Sequence, residues 1–322
     1  MKAIRIHETG PAEVLRLDEV PEPTPGPGQA RVRLHAAGVN FLDIYHRTGL
    51  NPLPLPAILG SEGAGLVEAV GSGVTEVAVG DRVAYTNVLG SYAEVVAAPA
   101  WRLVPIPAGL DFTQAAAAML QGMTAHYLVH TTYPLRPGEW ALVHAAGGGV
   151  GALLVQMARR SGARVIATAG SDEKTAIARE SGAEVCINYS RDDFVGEVRR
   201  VTEGQGVAVV YDSVGRDTFD RSLECLAVRG MLVLYGSASG PVAPVDPRTL
   251  NSKGSLFLTR PSLHHYTHTR AELLARAGDV LGWVRDSTLR LRLDRTYPLR
   301  AARDAHARLE GRQALGKIVL SV

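Results

Sequence analysis

The chain has 322 residues, 46% of them hydrophobic and 20% charged, and its 34 basic and 32 acidic side chains give a formal net charge of +2. These are the proportions of an ordinary globular protein, and the length suggests two domains. No apolar run approaches the ~20 residues that cross a bilayer, and no basic stripe marks a nucleic-acid surface. The first residues lack the apolar segment of a signal peptide, and the two cysteines are too few for a disulfide framework. We therefore expect a cytoplasmic protein that binds a small neutral or anionic ligand.

The chain from Met1 to about Tyr92 has the sequence pattern of short β-strands. Apolar and polar residues alternate in Ala30–Ala36, Gly65–Val70 and Asp81–Tyr85, and turns rich in proline and glycine separate these runs. Alternation with a period of two places one face of a strand in the core. This part of the sequence predicts a barrel-like β domain.

From about Trp140 the pattern changes to apolar strands that alternate with amphipathic helices. Strands that are apolar throughout indicate a parallel sheet covered by helices on both faces, that is, a doubly wound α/β domain. The predicted strands are Trp140–Ala145, Arg164–Ala169, Glu184–Asn188, Val207–Asp212 and Met231–Tyr235, and the predicted helices are Val150–Ser161, Asp172–Ser181, Asp192–Thr202 and Thr218–Val228.

After Asn251 the sequence pattern again combines strand-like and helix-like segments. A strand is predicted at Ser255–Thr259, a helix from about Arg270 to Arg285, and a closing strand at Lys317–Val322. So few elements bury too little surface to be stable by themselves. We expect this tail to return to the first domain and complete it.

The strongest chemical signal is the glycine turn that follows the strand beginning at Trp140. Gly147, Gly149 and Ala152 match the pattern G-x-G-x-x-G/A, and Gly148 and Gly151 add further backbone freedom. A turn without side chains lets the main chain approach a pyrophosphate, which the N–H groups and the positive end of the next helix can bind. Glycine turns also serve packing alone, but the strand before and the helix after this one favour dinucleotide binding.

The choice of dinucleotide depends on the end of the next strand. An NAD site has a carboxylate there for the ribose 2′-hydroxyl, whereas Val165–Ser171 ends without one. Lys174 follows one helical turn later, and Tyr189 ends the third strand. Asp172 and Glu173 lie beside this position, and their carboxylates count against a site for a 2′-phosphate. Their alternative role is to stabilise the first turn of the helix. The pattern favours NADP(H).

Several motifs resemble those of the medium-chain dehydrogenase/reductase superfamily, and within it the zeta-crystallin-like NADPH:quinone oxidoreductases. They are the glycine turn and the runs Gly38–Gly49, Leu59–Gly65, Val79–Val83, Tyr211–Asp217 and Leu309–Arg312. The resemblance implies a GroES-like catalytic domain formed by residues 1–124 and 257–322 and a Rossmann domain formed by residues 125–256. It also implies a homodimer, for which the apolar strand from Met231 is a candidate sheet edge.

Zinc members of the superfamily carry a cysteine and a Gly-His-Glu motif where this chain has Asn40 and Ser61. Glu62 remains, but a catalytic zinc needs three protein ligands. The histidine pairs His126/His130 and His264/His268 have the i,i+4 spacing of metal ligands, yet no His-Glu-x-x-His motif contains them. We expect no metal.

Without a metal, the expected chemistry is hydride transfer from NADPH to an electron-poor acceptor such as a quinone. The resemblance points to Asn40 and Tyr45 as catalytic candidates, although Tyr45 could equally be a packing residue. It implies cofactor contacts from both domains. These residues are Asn40, Phe41, Tyr45, Thr124, Tyr127, Gly148, Gly149, Val150, Gly151, Gly170, Ser171, Lys174, Tyr189, Ser213, Phe257 and Arg312.

Two other functions fit the same sequence. One is an NADPH-dependent enoyl or 2-alkenal reductase, because a metal-free site and the same cofactor serve both reactions. The other is an NADPH-binding protein of low turnover with a structural or RNA-binding role. The balanced charge and an aromatic content of 6% argue against nucleic acid as the main partner.

Overall fold

The structure, a computed structural model, describes residues 1–322 and divides into two compact units. We call Met1–Met123 together with Thr267–Val322 the β unit, and Thr124–Tyr266 the α/β unit. The sequence placed the second boundary after residue 256. In the structure it lies after Tyr266, because the strand at Phe257–Thr259 hydrogen-bonds to the sheet of the α/β unit. None of the helices combines the length and hydropathy needed to cross a bilayer.

The chain up to Tyr127 forms short strands and two helices. The predicted β runs all appear, as parts of three strands that pair antiparallel around a buried apolar face. The elements are β1 (Lys2–Ile6), β2 (Arg16–Glu19), β3 (Gln29–Val39), α1 (Phe41–Thr48), β4 (Ala57–Ile58), β5 (Glu62–Val70), β6 (Arg82–Thr86), β7 (Val95–Pro99), β8 (Val104–Pro105) and α2 (Phe112–Tyr127).

The α/β unit contains a six-stranded parallel sheet. Its elements are β9 (Trp140–Val143), α3 (Gly149–Arg160), β10 (Arg164–Ala169), α4 (Asp172–Glu180), β11 (Val185–Asn188), α5 (Phe194–Val201), β12 (Val207–Asp212), α6 (Phe219–Cys225), β13 (Leu226–Leu234), α7 (Pro247–Ser252) and β14 (Phe257–Thr259). The strand order is β11-β10-β9-β12-β13-β14. The predicted doubly wound sheet is therefore confirmed, with apolar residues such as Leu142, Ile166 and Val210 in its core.

Two expectations for this unit were wrong in detail. The predicted helix Thr218–Val228 ends at Cys225, because Leu226 already pairs with Val207 of β12. The strand β13 does not form the sheet edge, because β14 pairs with it in parallel. Both differences arise from strand pairing between distant segments, which local patterns do not encode.

The last segment of the chain belongs to the β unit. It consists of α8 (Arg270–Arg285), β15 (Leu293–Pro298), α9 (Ala302–Glu310) and β16 (Lys317–Ser321). Strand β16 pairs antiparallel with β3, with Ile318 opposite Val39. The seven-stranded sheet runs β15-β16-β3-β5-β6-β8, with β7 also on β3. The tail from Thr267 onwards therefore completes the first domain, whereas the strand predicted at Ser255–Thr259, which was expected to join it, belongs to the α/β unit.

A chain of buried hydrogen bonds crosses the core of the β unit. Arg47 lies 3.4 Å from His306 Nδ1, and His306 Nε2 lies 3.0 Å from the hydroxyl of Tyr92. Because a guanidinium only donates, Nδ1 accepts and Nε2 carries the proton, so His306 donates to Tyr92. The Tyr92 hydroxyl donates to Asp43 at 3.1 Å, and Ser61 donates to the other oxygen of Asp43 at 2.8 Å. Burial raises the pKa of Asp43 to about 6 and lowers the pKa of His306 to about 3.

The low pKa of His306 predicts a loss of stability in mild acid. Below pH 6.5 the unfolded chain binds a proton that folded His306, with a pKa of about 3, does not bind. By pH 5 this difference favours unfolding by about 2 kcal/mol. Asp43 acts in the opposite direction, because its pKa is raised in the folded state and it takes up a proton on folding as the pH falls from about 6 to 4.

We expect His306→Gln to be less stable than the wild type at pH 7 but to lose less stability between pH 7 and pH 5. Urea unfolding at several pH values measures both slopes, and Asp43 contributes to both proteins. An unchanged slope in His306→Gln would contradict the assignment.

Candidate functional site

The glycine turn joins β9 directly to α3 in the α/β unit. Ala145 adopts a left-handed backbone with φ of 50°, and the N–H of Gly148 donates to its carbonyl at 2.9 Å. Helix α3 then begins at Gly149, so the first N–H groups of the helix have no partner within it. These N–H groups and the helix dipole form the predicted site for an anion.

Two glycines of this turn have no room for a side chain. A Cβ on Gly147 would lie 2.5 Å from the carbonyl oxygen of Lys174, and a Cβ on Gly151 would lie 2.4 Å from that of Ala145. Gly147 therefore lets the turn pack against the start of α4, and Gly151 lets α3 pack against the turn. A Cβ on Gly148 would meet only the Ala145 oxygen, at 3.2 Å. The turn is thus a close-packed cradle of main chain, which fits a pyrophosphate.

The loops after β10 and β11 lie side by side. Ala169 and Asn188 are in register at the ends of these strands, and the hydroxyl of Tyr189 lies 3.1 Å from where a Cβ of Gly170 would be. Ser171 caps α4 by accepting a hydrogen bond from the N–H of Lys174 at 3.3 Å. Gly170, Ser171, Lys174 and Tyr189 are therefore brought together, as the sequence predicted.

The carboxylate of Asp172 is held by neighbouring groups. Arg191 donates to it at 2.7 Å and Asn188 at 3.0 Å, and both bonds hold its pKa below the usual range. The positive charge of Arg191 offsets the negative charge of Asp172 and so weakens the objection that Asp172 would repel a phosphate. Arg191 was not found from the sequence, where it is one of many exposed arginines. Its position directly after the third strand was the only available signal.

Ser213 follows β12 at the same edge of the sheet. Its neighbour Asp212 accepts hydrogen bonds from the N–H groups of Val214 at 2.7 Å and Gly215 at 3.0 Å, which fixes this loop. Because the strands are parallel, the loops after β9, β10, β11 and β12 all lie at the carboxyl edge of the sheet. The predicted residues from Gly148 to Ser213 are therefore gathered along this edge.

Phe257 is not brought to that edge. It begins β14 in register with Met231, which precedes the end of β13 at Leu234, and it is 56% exposed. Thr124 and Tyr127 lie in α2, where Tyr127 is buried and stacks on Tyr266 with 4.2 Å between ring centroids. Arg312 lies in the loop between α9 and β16.

In the β unit, Asn40, Phe41 and Tyr45 lie together at the start of α1. The rings of Phe41 and Tyr45 are 6.2 Å apart and both are half-buried. Asn40 precedes the helix, and its N–H donates to the Asp43 carboxylate at 2.9 Å. The carboxylate of Asp43 thus ties the start of α1 to Ser61, the second residue at a position where zinc members have a ligand.

The side chain of Asn40 is held by a buried ion pair between Lys317 and Glu62. Asn40 Nδ2 donates to Glu62 at 2.8 Å, and Lys317 Nζ donates to Asn40 Oδ1 at 2.7 Å and to Glu62. All three side chains are at least 96% buried, with exposed fractions of 4% for Asn40, 2% for Lys317 and 0% for Glu62. Sequence reasoning missed Lys317. The signal was a lone charge at the start of the otherwise apolar closing strand.

These residues do not fit a zinc ion. Asn40 and Ser61 are already bonded to charged neighbours, and the ammonium of Lys317 would repel a second cation beside Glu62. No group of three or more His, Cys, Asp or Glu side chains is arranged to hold a metal.

Comparison with known proteins identifies relatives over the whole length. Family models match residues 26–108, as an alcohol dehydrogenase GroES-like domain, and residues 149–273, as a zinc-binding dehydrogenase. Quinone oxidoreductase of Pseudomonas aeruginosa is 46% identical over 99% of both chains. A Burkholderia 2-haloacrylate reductase is 45% identical over 98% of this chain and 97% of its own. The crystal structure of Escherichia coli quinone oxidoreductase complexed with NADPH is 42% identical, covers 100% of both chains and has a TM-score of 0.98.

These similarities agree with the sequence motifs and with both observed units. The GroES-like match falls in the β unit, and most of the zinc-binding dehydrogenase match falls in the α/β unit. The predicted resemblance and fold class are confirmed. The chain belongs to the NADPH:quinone oxidoreductase branch of the medium-chain dehydrogenase/reductase superfamily.

Proposed function

We propose that this protein is an oxidoreductase that reduces quinones with NADPH by hydride transfer, without a metal. The observation that carries the proposal is the full-length similarity to quinone oxidoreductases, at 46% and 42% identity for two of them. The glycine turn and the loops at the carboxyl edge of the sheet support this cofactor independently of that similarity. When bound, NADPH supplies the hydride.

The residues of the α/β unit would bind the cofactor through its phosphates. The N–H groups of Gly149, Val150 and Gly151 would hold the pyrophosphate, because they have no partners in the helix. Lys174 and Tyr189 would hold the 2′-phosphate, with Ser171 and Arg191 beside them. Further proposed cofactor contacts, which rest on the resemblance, are Thr124, Tyr127, Gly148, Gly170, Ser213, Asn40, Phe41, Tyr45 and Arg312.

Two groups at the start of α1 would act on the substrate. Reduction of a quinone builds negative charge on an oxygen, which a nearby donor stabilises. The hydroxyl of Tyr45 and the amide of Asn40 are the donors that we propose, and solvent would supply the proton. Asn40 Nδ2 uses one hydrogen on Glu62, and its contact with the carbonyl of Gly38 is long, at 3.4 Å. The second hydrogen is therefore weakly held, and a substrate oxygen placed along its direction would replace the Gly38 carbonyl as its acceptor.

A panel of acceptors tests the function. We expect NADPH oxidation with 1,4-benzoquinone and 1,4-naphthoquinone, and slow or no oxidation with simple aldehydes, which need stronger polarisation. The panel includes enones and 2-chloroacrylate, because the similarity to a 2-haloacrylate reductase favours activated alkenes as a second substrate class. Turnover with simple aldehydes alone would contradict the proposal. Tight, salt-dependent retention of RNA together with no turnover would favour a binding protein instead.

Reversing the charge of Lys174 tests the choice of cofactor. Lys174→Glu would place a carboxylate beside the 2′-phosphate, and we expect the Kd for NADPH to rise by about tenfold or more. The Kd for NADH should change by less than about twofold, because NADH lacks that phosphate. Titration of nucleotide fluorescence measures both values, and Lys174→Met separates loss of the charge from its reversal. Equal changes for NADPH and NADH would remove Lys174 from the phosphate site.

We further propose that the protein is a cytoplasmic homodimer. Both cysteines are free, which suits a reducing compartment. Strand β14 is a terminal strand of its sheet, and the exposed apolar residues Phe257 and Val228 lie on it and on β13, at 56% and 73% exposure. A second copy paired along β14 would cover this edge.

Sedimentation velocity tests the dimer. We expect a dimer for the wild type and mostly monomer for Phe257→Asp, because the carboxylate would be buried beside the paired strands. Leu293→Asp is the matched control, since Leu293 is also an exposed apolar residue, at 41%, on the terminal strand β15 of the other sheet. A monomeric wild type, or dimers in all three proteins, would contradict this arrangement.

A further inference from the structure

We infer that Lys317 and Glu62 are positioning residues for the reaction, because together they hold the side-chain amide of Asn40 in one orientation at the start of α1. The inference rests on the proposed function, in which Asn40 donates to the substrate oxygen. It concerns residues that lie far apart in the sequence and that act through Asn40, without contact to the substrate.

The ammonium of Lys317 has an acceptor for each of its three hydrogens. Nζ lies 3.2 Å from the carbonyl oxygen of Val39 and 2.7 Å from Asn40 Oδ1, and it also donates to Glu62 Oε1. Two of these acceptors belong to the junction between β3 and α1. The ammonium of Lys317 therefore binds the chain where it passes from β3 to α1.

Both oxygens of the Glu62 carboxylate also accept hydrogen bonds. Oε1 accepts from Lys317 and from Asn40 Nδ2, and Oε2 accepts from the N–H of Leu120 in α2 at 2.6 Å. The space for this carboxylate depends on Gly38, where a Cβ would overlap Glu62. Glu62 thus connects β5, β16, α2 and the residue before α1 at one point.

The pair gives the Asn40 amide a single orientation. With Oδ1 facing an ammonium and Nδ2 facing a carboxylate, both ends make charge-assisted hydrogen bonds. A flip of the amide would turn Nδ2 toward Lys317 and Oδ1 toward Glu62, so that both contacts would become repulsive. The direction of the second Nδ2 hydrogen is fixed as a consequence.

Stability alone does not explain this arrangement. A buried ion pair is expensive to desolvate, and apolar residues of similar volume are often at least as stabilising. At this site the charges are directed at a polar side chain that the proposed chemistry needs. The charges therefore serve orientation, which a pair of apolar side chains could not provide.

Charge removal separates orientation from stability. Lys317→Met keeps the length of the side chain but leaves Glu62 buried without its cation, so we expect a lower melting temperature and a kcat at least about tenfold lower. In Lys317→Met with Glu62→Gln no unpaired charge remains, and the melting temperature should largely recover. The kcat should stay low, because nothing orients Asn40. The Kd for NADPH, from fluorescence titration, should change by a smaller factor than kcat in both variants, because most of the proposed cofactor contacts lie elsewhere.

A double-mutant cycle tests whether the effect passes through Asn40. Asn40→Ala alone should lower kcat by a factor similar to that of Lys317→Met with Glu62→Gln. The triple variant should show little further loss, because the same interaction is already absent. Lys317→Arg keeps a cation at this position and should retain more kcat than Lys317→Met.

Two results would overturn the inference. One is recovery of kcat together with the melting temperature in the charge-free double variant, which would mean a structural role only. The other is a full additional loss of kcat on adding the Lys317 and Glu62 changes to Asn40→Ala. The variants are measured with an acceptor that the wild type reduces. If the wild type reduces enones but no quinones, the proposed substrate is wrong, and the role of Lys317 and Glu62 is still tested with an enone. A wild type that reduces no acceptor of the panel overturns both.

Discussion

The main steric constraint on the α/β unit is the absence of space for two Cβ atoms. At Gly147 the obstacle is the carbonyl of Lys174, and at Gly151 it is the carbonyl of Ala145. Because both positions are glycine, the turn after β9 packs against α4 and α3 at the same time. This close packing brings the free N–H groups of α3 near the loops after β10 and β11, which carry the cations and hydroxyls suited to a phosphate. In the proposed function, nucleotide recognition would depend on this backbone packing.

Much of the fold could be predicted from local pattern. The bounds of β10, β12 and α8 agree with the predicted segments, since each is a strongly periodic or uniformly apolar run between clear turns. The start of β13 at Leu226 and the addition of β14 to the sheet could not be predicted in the same way. They depend on pairing with Val207 and Met231, and such contacts between distant segments have no local signature.

The same distinction applies to the functional residues. The glycine turn, Lys174 and Tyr189 are close in sequence to the strands that position them, and the pattern was sufficient to predict that they lie at one edge of the sheet. The ion pair between Lys317 and Glu62 joins residues 255 positions apart, and only the folded sheet brings them together. Asp172 lies between these two cases. The sequence pointed to its carboxylate, but only the structure shows that Arg191 pairs with it. Residue type and spacing therefore predict where the loops proposed for the cofactor lie, whereas the surroundings of Asn40 require the three-dimensional structure.

The path of the chain through the two units also affects the order of folding. The α/β unit is one continuous segment, Thr124–Tyr266, whereas strand β3 of the β unit pairs with β16, which is synthesised after that whole segment. During translation the parallel sheet can form as soon as its own residues have left the ribosome. Until β16 emerges, the end of β3 at Ala36–Val39 lacks the partner that pairs with it there, whereas Gln29–Arg33 can already pair with β7. The ionic contact of Lys317 with Glu62 can therefore form only after the whole α/β unit has been synthesised.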